Sequence, residues 1–192
     1  MKTGVRLSVD YVVVGEIRGE EAREWAHSIL LGHGAVTTFH AESPEAALLR
    51  LASPPISVDP QVIAMLNVIV KTNVLESGTH RVFRHEVHAH EEGRVIPLYV
   101  YNPAKDTIEL NPEIGDPLKE LKFLERIVNT HKVSREELAR EFSAMVRALR
   151  RTYEEFSRRD PSFDRVSFEE LSKVLYRNLE LEMTGSASRG LK

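Results

Sequence analysis

A carboxylate stands just past an apolar run: Glu16 follows Tyr11-Val12-Val13-Val14 and Gly15. The run reads as a strand buried on both faces, as in a parallel sheet covered by helices. An ionisable group at the end of such a strand either reaches solvent or occupies a site that uses its charge. In open α/β sheets ligands bind beyond the carboxyl ends of the strands, which is where a catalytic carboxylate is expected. The alternative is that Glu16 only opens a solvated loop. A second ionisable residue repeats the pattern, because "AVTTFHA" (Ala35 to Ala41) reads as another short buried strand that reaches His40.

The intervening elements decide whether these two residues meet. In "EEAREWAHSILLG", Ala22, Trp25, Ala26, Ile29 and Leu30 recur at helical spacing, with Glu20 and Glu21 in the first turn and Gly32 past the end. Ser43-Pro44 opens a further helix, "PEAALLRLA", as N-cap and first-turn proline. The order strand, helix, strand, helix implies parallel strands, with Glu16 and His40 at one sheet edge. Asp59-Pro60 caps a short helix, "PQVIAMLN", and from Val68 to Leu110 a meander of mostly antiparallel strands is expected. Asn111-Pro112 and Gly115-Asp116-Pro117 mark a boundary.

Helices follow. Asp116-Pro117 opens one that carries Leu118, Leu121, Leu124, Ile127 and Val128. Ser134 with Glu137 forms a capping box for the longest helix, whose apolar stripe is Leu138, Phe142, Met145, Val146, Leu149, Tyr153 and Phe156. Ser167 with Glu170 repeats the signal. Three amphipathic helices with short connections predict a bundle. The expected organisation is residues 1–115 as an α/β domain, 116–183 as a helical domain and 184–192 as a disordered tail.

The totals exclude several classes. The 192 residues carry a net charge of -3, which gives no electrostatic ground for nucleic-acid binding. No cysteine is present, so disulfides are excluded, and no apolar stretch is long enough to span a bilayer. A cytoplasmic protein is expected, with peripheral attachment at the inner face of the membrane as a further option.

"DYVVVGEIRG" followed by "GHGAVTTFHAESPEAALLRL" resembles the Walker B and His-box motifs of the type II/type IV secretion ATPase superfamily, the RecA-like hexameric motors of secretion systems, pili and the archaellum. "LASPPISVDPQVIAMLNVIVKTNV" is similar to the archaeal branch. The resemblance implies a partial RecA-like P-loop domain with a β-rich antiparallel edge and a helical C-terminal bundle. It implies ATP and Mg²⁺ as cofactors, a homo-hexamer, and a membrane platform protein as partner. Carried over by position, Glu16 matches the glutamate that polarises the attacking water, and His40 the histidine near the nucleotide. Gly15 belongs to the same Walker B segment, and Gly32, His33 and Gly34 match the "GHG" of the His box. Two departures stand out. Leu31 occupies a position where the family usually has a small hydroxylated residue, and no G-x-x-x-x-G-K-[ST] loop occurs. The expectation is therefore the C-terminal portion of a motor, inactive alone, or a non-catalytic assembly or regulatory module of such a machine.

Two further clusters remain. In "HRVFRHEVHAHEE" a strand puts His80, Glu86, His88, His90 and Glu92 on one face. His88 and His90 with a nearby glutamate could bind a divalent metal; the other reading is a solvated strand face, and no metal is expected. Arg81 and Arg84 could instead reach a neighbouring subunit's phosphate. "RALRR" and "SRRD" read as a solvated helix face with i,i+4 ion pairs.

Overall fold

The computed structural model describes residues 9–77, 80–160 and 166–187. The chain forms two compact units, Met1–Phe123 and Leu124–Lys192. Among the described residues no helix is long and apolar enough to cross a membrane.

The first unit is mixed α/β. Strand β1 (Tyr11–Val14) pairs in parallel with β2 (Gly34–Thr37), Tyr11 opposite Gly34 and Val14 opposite Thr37. Helix α1 (Glu21–Leu30) crosses between them, as a parallel pair requires. Its Ala22, Trp25 and Ile29 pack with Val14 and Ile17, and with Leu51 of α2 (Pro44–Ala52) and Val62 of α3 (Pro60–Ile63). Ser43 caps α2 as the sequence predicts, its hydroxyl accepting from the Ala46 amide at 3.1 Å. The helix begun at Pro60 is shorter than the sequence suggests.

Strand β1 differs from the expectation of burial on both faces. Val14 is buried, whereas Val13 is 72% exposed and Tyr11 is exposed too. The reason is geometric: side chains alternate along a strand, and the helical core covers only one face of this two-stranded sheet among the described residues.

Strands β3 (Val68–Ser77), β4 (His80–Glu91), β5 (Arg94–Asn102) and β6 (Thr107–Leu110) form the expected meander, antiparallel throughout. A bulge between Val87 and His88 shifts the β4–β5 register. The helix predicted from Pro117 is broken into α4 (Pro117–Glu120) and α5 (Lys122–His131). At the break Leu121 is buried, and the Glu91 carboxylate accepts from the Phe123 amide at 2.8 Å. A remote carboxylate thus caps the new helix and ends the old one.

In the second unit α6 (Arg135–Arg159) and α7 (Phe168–Ala187) run antiparallel, as the Arg147–Glu182 and Arg159–Glu170 ion pairs show. The capping box of α6 is complete: Glu137 N donates to Ser134 Oγ at 3.1 Å, and Ser134 N to Glu137 Oε2 at 2.7 Å. Only one arm of the second predicted box is described, Glu170 N to Ser167 Oγ at 3.2 Å. The tail assigned to 184–192 falls largely outside the described residues, although α7 itself extends to Ala187.

The buried row of α6 is not the large apolar stripe. It is Ala144, Ala148, Thr152 and Phe156, a single i,i+4 ridge whose small residues let α7 approach closely. Thr152 donates to the Ala148 carbonyl at 2.8 Å and accepts from Asn178 Nδ2 at 3.0 Å, so the polar atoms inside this contact are satisfied. Removing the Asn178 side chain deletes a buried bond and leaves a void. Asn178→Ala should lower stability by about 1–3 kcal/mol in urea unfolding followed by helical circular dichroism. Arg177→Ala, which breaks an exposed pair, should leave the midpoint nearly unchanged.

Candidate functional site

The parallel register sets the ends of β1 and β2 side by side, and the chain beyond each end carries the ionisable residues. Thr38 holds the two exits together: its hydroxyl donates to the Gly15 carbonyl, and its own carbonyl accepts from Ile17 N at 3.3 Å. Glu16 Oε1 then lies 3.4 Å from His40 Nε2, and Glu16 Oε2 lies 2.7 Å from Arg18 Nη2. Glu16 is about a quarter exposed and the other two side chains are largely open to water. The sequence places Glu16 and His40 at one edge, and the structure brings them into contact. Arg18, only two residues beyond Glu16, is the partner that the sequence reading passed over.

Electrostatics follow from this geometry. The Arg18 hydrogen bond, helped by the charges of Arg18 and His40, holds the Glu16 carboxyl below its ordinary value of 4.5 against the opposing effect of burial. The same bond raises the Arg18 guanidinium. Glu16 is thus an ionised acceptor at neutral pH, the form able to orient a water molecule. His40 is held from behind, its carbonyl accepting from Arg50 Nη1, while the Arg50 guanidinium stacks 5.0 Å from the Phe39 ring centre.

The glycines and His33 shape the backbone around this pair. Gly32 sits at φ +89° just past α1, where His33 N donates to the Ser28 carbonyl (3.1 Å) and Gly32 N to the Ile29 carbonyl (2.9 Å). That double bond pattern needs a left-handed residue, and glycine takes the conformation without strain. A side chain at Gly34 would run into the Tyr11 ring, which is exposed and would have to turn aside. Gly15, by contrast, has open space around it. The His33 ring bonds the Val9 carbonyl through Nδ1 at 2.5 Å, which ties the turn to the start of β1.

The turn that leads into α1 is already occupied. Glu21 turns its carboxylate back so that Oε1 accepts from the Arg18 amide and, at 2.7 Å, from the Gly19 amide. These bonds hold its carboxyl low, and they consume amides that could otherwise receive an anion.

The histidine-bearing face of β4 is buried, which corrects its reading as solvated. His88 is 8% exposed and His90 is 2% exposed, and the Nδ1 of His90 bonds the Leu66 carbonyl at 3.1 Å. Phe83 and His85 on the opposite face are the exposed ones. Among the described residues no group of three or more His, Cys, Asp or Glu side chains is arranged to hold a metal ion. Arg84 is held in a two-pronged pair with Asp106 at 2.6 and 2.8 Å, so its guanidinium is engaged within its own sheet; the Arg81 side chain lies outside the described residues. The basic residues of α6 pair mostly with α7, and one pair, Arg158–Glu154, has the i,i+4 spacing expected.

Residues 1–92, which include this site, match the family model described as type II/IV secretion system protein. This segment belongs to the type II/IV secretion ATPase family. Two uncharacterised proteins of Methanocaldococcus jannaschii are similar to the chain. One is 30% identical over 160 residues, 78% of this chain and 56% of that protein. The other is 34% identical over 68 residues, 35% of this chain and 12% of that protein. The chain therefore spans about half the length of the first relative. In the secretion-family segment the Glu16–His40–Arg18 cluster is the one point among the described residues where ionisable side chains converge at the ends of parallel strands.

Two consequences can be measured. Arg18→Ala removes the largest influence on Glu16, so the carboxyl carbon of Glu16 in NMR should titrate closer to 4.5 than in the parent protein. An unmoved midpoint would show that the ion pair is not formed in solution. His88 is held below its ordinary 6.5, first by burial and then by the Lys71 charge, against the opposing charges of Glu86 and Glu45. A depressed folded-state value means the unfolded chain takes up the proton first. This contribution is intact above pH 6.5 and is lost as pH falls through the folded value. In melts from pH 7.5 to 5, His88→Leu should gain stability relative to the parent as pH falls; parallel curves would contradict it.

Proposed function

We propose that this chain is the C-terminal portion of a hexameric secretion or pilus-assembly motor that couples ATP hydrolysis to protein export or filament assembly. The observation that carries the reading is the contact between an ionised Glu16 and His40 at the ends of two parallel strands, inside the secretion-family segment. On this reading the strand pair is part of a RecA-like sheet, "DYVVVGEIRG" is its Walker B motif, and "GHGAVTTFHA" its His box.

The residues present fit one half of such a site. Mg-ATP, when bound, supplies the phosphoryl group that passes to water. Glu16 has the charge, exposure and placement to orient that water, and His40 stands against it where a change in the Glu16 environment moves the loop that Arg50 holds. The other half does not fit. Nothing among the 192 residues matches G-x-x-x-x-G-K-[ST], and Glu21 fills the Arg18 and Gly19 amides in the turn before α1. Phosphate contacts come from another segment or another chain. The proposed ring of identical subunits acts on a membrane platform protein at the cytoplasmic face, with no role for nucleic acid.

One observation favours a second reading, a non-catalytic module that joins such a machine: Glu16 is already matched by Arg18 on one oxygen and His40 on the other. Activity measurements separate the two. The pure chain should turn over no ATP above background. Added to a P-loop-bearing segment, it should complete an active site, and Glu16→Gln should then cut hydrolysis about 100-fold or more while nucleotide binding persists. Turnover by the chain alone, lost on Glu16→Gln, would overturn the division of labour. Binding to the P-loop segment without turnover would favour the non-catalytic reading.

A further inference from the structure

The large apolar stripe of α6 is largely exposed. Phe142, Met145, Val146, Leu149 and Tyr153 follow one another at i, i+3, i+4, i+7 and i+11, and all are about half exposed or more, Phe142 by 65%. Helix α7 does not occupy this stripe, because it packs on the neighbouring ridge of Ala144, Ala148, Thr152 and Phe156. Five such side chains expose about 500 Å² of mostly apolar surface, as much as the largest single patch on an ordinary soluble monomer, a size that often marks an interaction site.

We propose that this stripe is a dimerisation surface on which α6 of a second copy lies antiparallel. The pattern is self-complementary. With a two-fold axis at the middle of the stripe, Phe142 faces Tyr153 of the second copy and Val146 faces Leu149, each pair occurring twice, as an isologous contact demands. Charge selects the direction. At the start of α6 carboxylates outnumber cations, with Glu136, Glu137 and Glu141 against Arg135 and Arg140. Towards its end the balance reverses, with Arg150, Arg151, Arg158 and Arg159 against Glu154 and Glu155, although Arg151 and Arg159 also pair with Glu182 and Glu170 of α7. Antiparallel helices set the acidic end of one against the basic end of the other, whereas parallel helices would set like against like. Two stripes bury about 1,000 Å² in total, at the lower limit for a specific interface, which fits a reversible dimer of about micromolar affinity. Two α6–α7 pairs joined this way give each α6 cover on both of its apolar rows.

This surface does not depend on the motor reading. Sedimentation velocity of the full chain from about 1 to 200 μM should show monomer passing to dimer. Val146→Glu with Leu149→Glu should leave a monomer throughout. Both side chains are exposed in the single chain, so the variant should keep its helical circular dichroism, and a variant that loses it is replaced by Val146→Ser with Leu149→Ser. The protein has no cysteine, so direction can be read by cross-linking. A mixture of Phe142→Cys and Tyr153→Cys proteins should form a disulfide-linked dimer on oxidation, and neither alone should. A chain that stays monomeric at 200 μM, an assembly that survives the double glutamate variant, or linkage of Phe142→Cys with itself would each overturn the proposal.

Discussion

The contact on which the candidate site rests is the parallel pairing of β1 with β2. Its register, Val14 opposite Thr37, fixes where the two chains leave the sheet and thereby sets Glu16 against His40. A slip of one residue would turn every side chain of one strand to the opposite face. Several local features guard against that slip. Gly34 accommodates the Tyr11 ring, Gly34 N donates to the Asp10 carbonyl at 2.9 Å, and Thr38 binds back to Gly15 beyond the strand ends. The core of α1, α2 and α3 presses on Val12 and Val14 from one side only, so the register is held by these contacts more than by enclosure.

Elsewhere polar groups settle the arrangement. Glu86 on β4 is mostly buried, and burial would push its carboxyl up. A bond from the Tyr101 amide at 3.3 Å, the Asn73 side chain and the Lys71 ammonium at 3.5 Å outweigh burial and hold it down. Farther along the sheet Asp106 collects Arg84 and the Tyr101 hydroxyl, and Glu109 gathers Asn102, Lys105 and Thr107, which brings its carboxyl to about 2. Among the described residues the Trp25 indole and His88 are exceptions: both ring nitrogens of His88 are buried without a hydrogen-bond partner, and Glu86 at 3.9 Å is too far for one. The neutral form of His88 is the one that this surrounding tolerates.

Local signals in the sequence were the legible ones. The Ser134–Glu137 box, the Ser43 and Asp59 caps, the apolar spacing of α1 and the alternation of the meander each depend on residues a few positions apart, and each appears in the structure. The adjacency of Glu16 and His40 was legible because the strand–helix–strand order admits few topologies. What failed depended on distant partners. Two-sided burial of β1 was inferred from four apolar residues, but cover on the second face is not encoded in those residues. The stripe of α6 outweighs its buried ridge in apolar bulk, and only the position of α7 shows that close approach through alanine prevails. The helix break before Lys122 comes from Glu91, over thirty residues away. His88 and Glu86 share a face whose side chains are all ionisable at that end, so alternation alone could not say which face turned inward.

The carboxylate of Glu21 has a consequence for any anion that approaches α1. It is tethered two residues from the amide it binds, so it acts as a competitor present at high effective concentration and never diluted away. An incoming oxyanion must evict it, and the observed affinity is scaled down by the fraction of time the amides stand empty. Lowering the pH through the depressed titration range of Glu21 would lift that occlusion, since a neutral carboxyl is a far weaker acceptor. The turn before the helix is thus self-plugged, and the plug stands on the same short stretch of chain that carries Glu16.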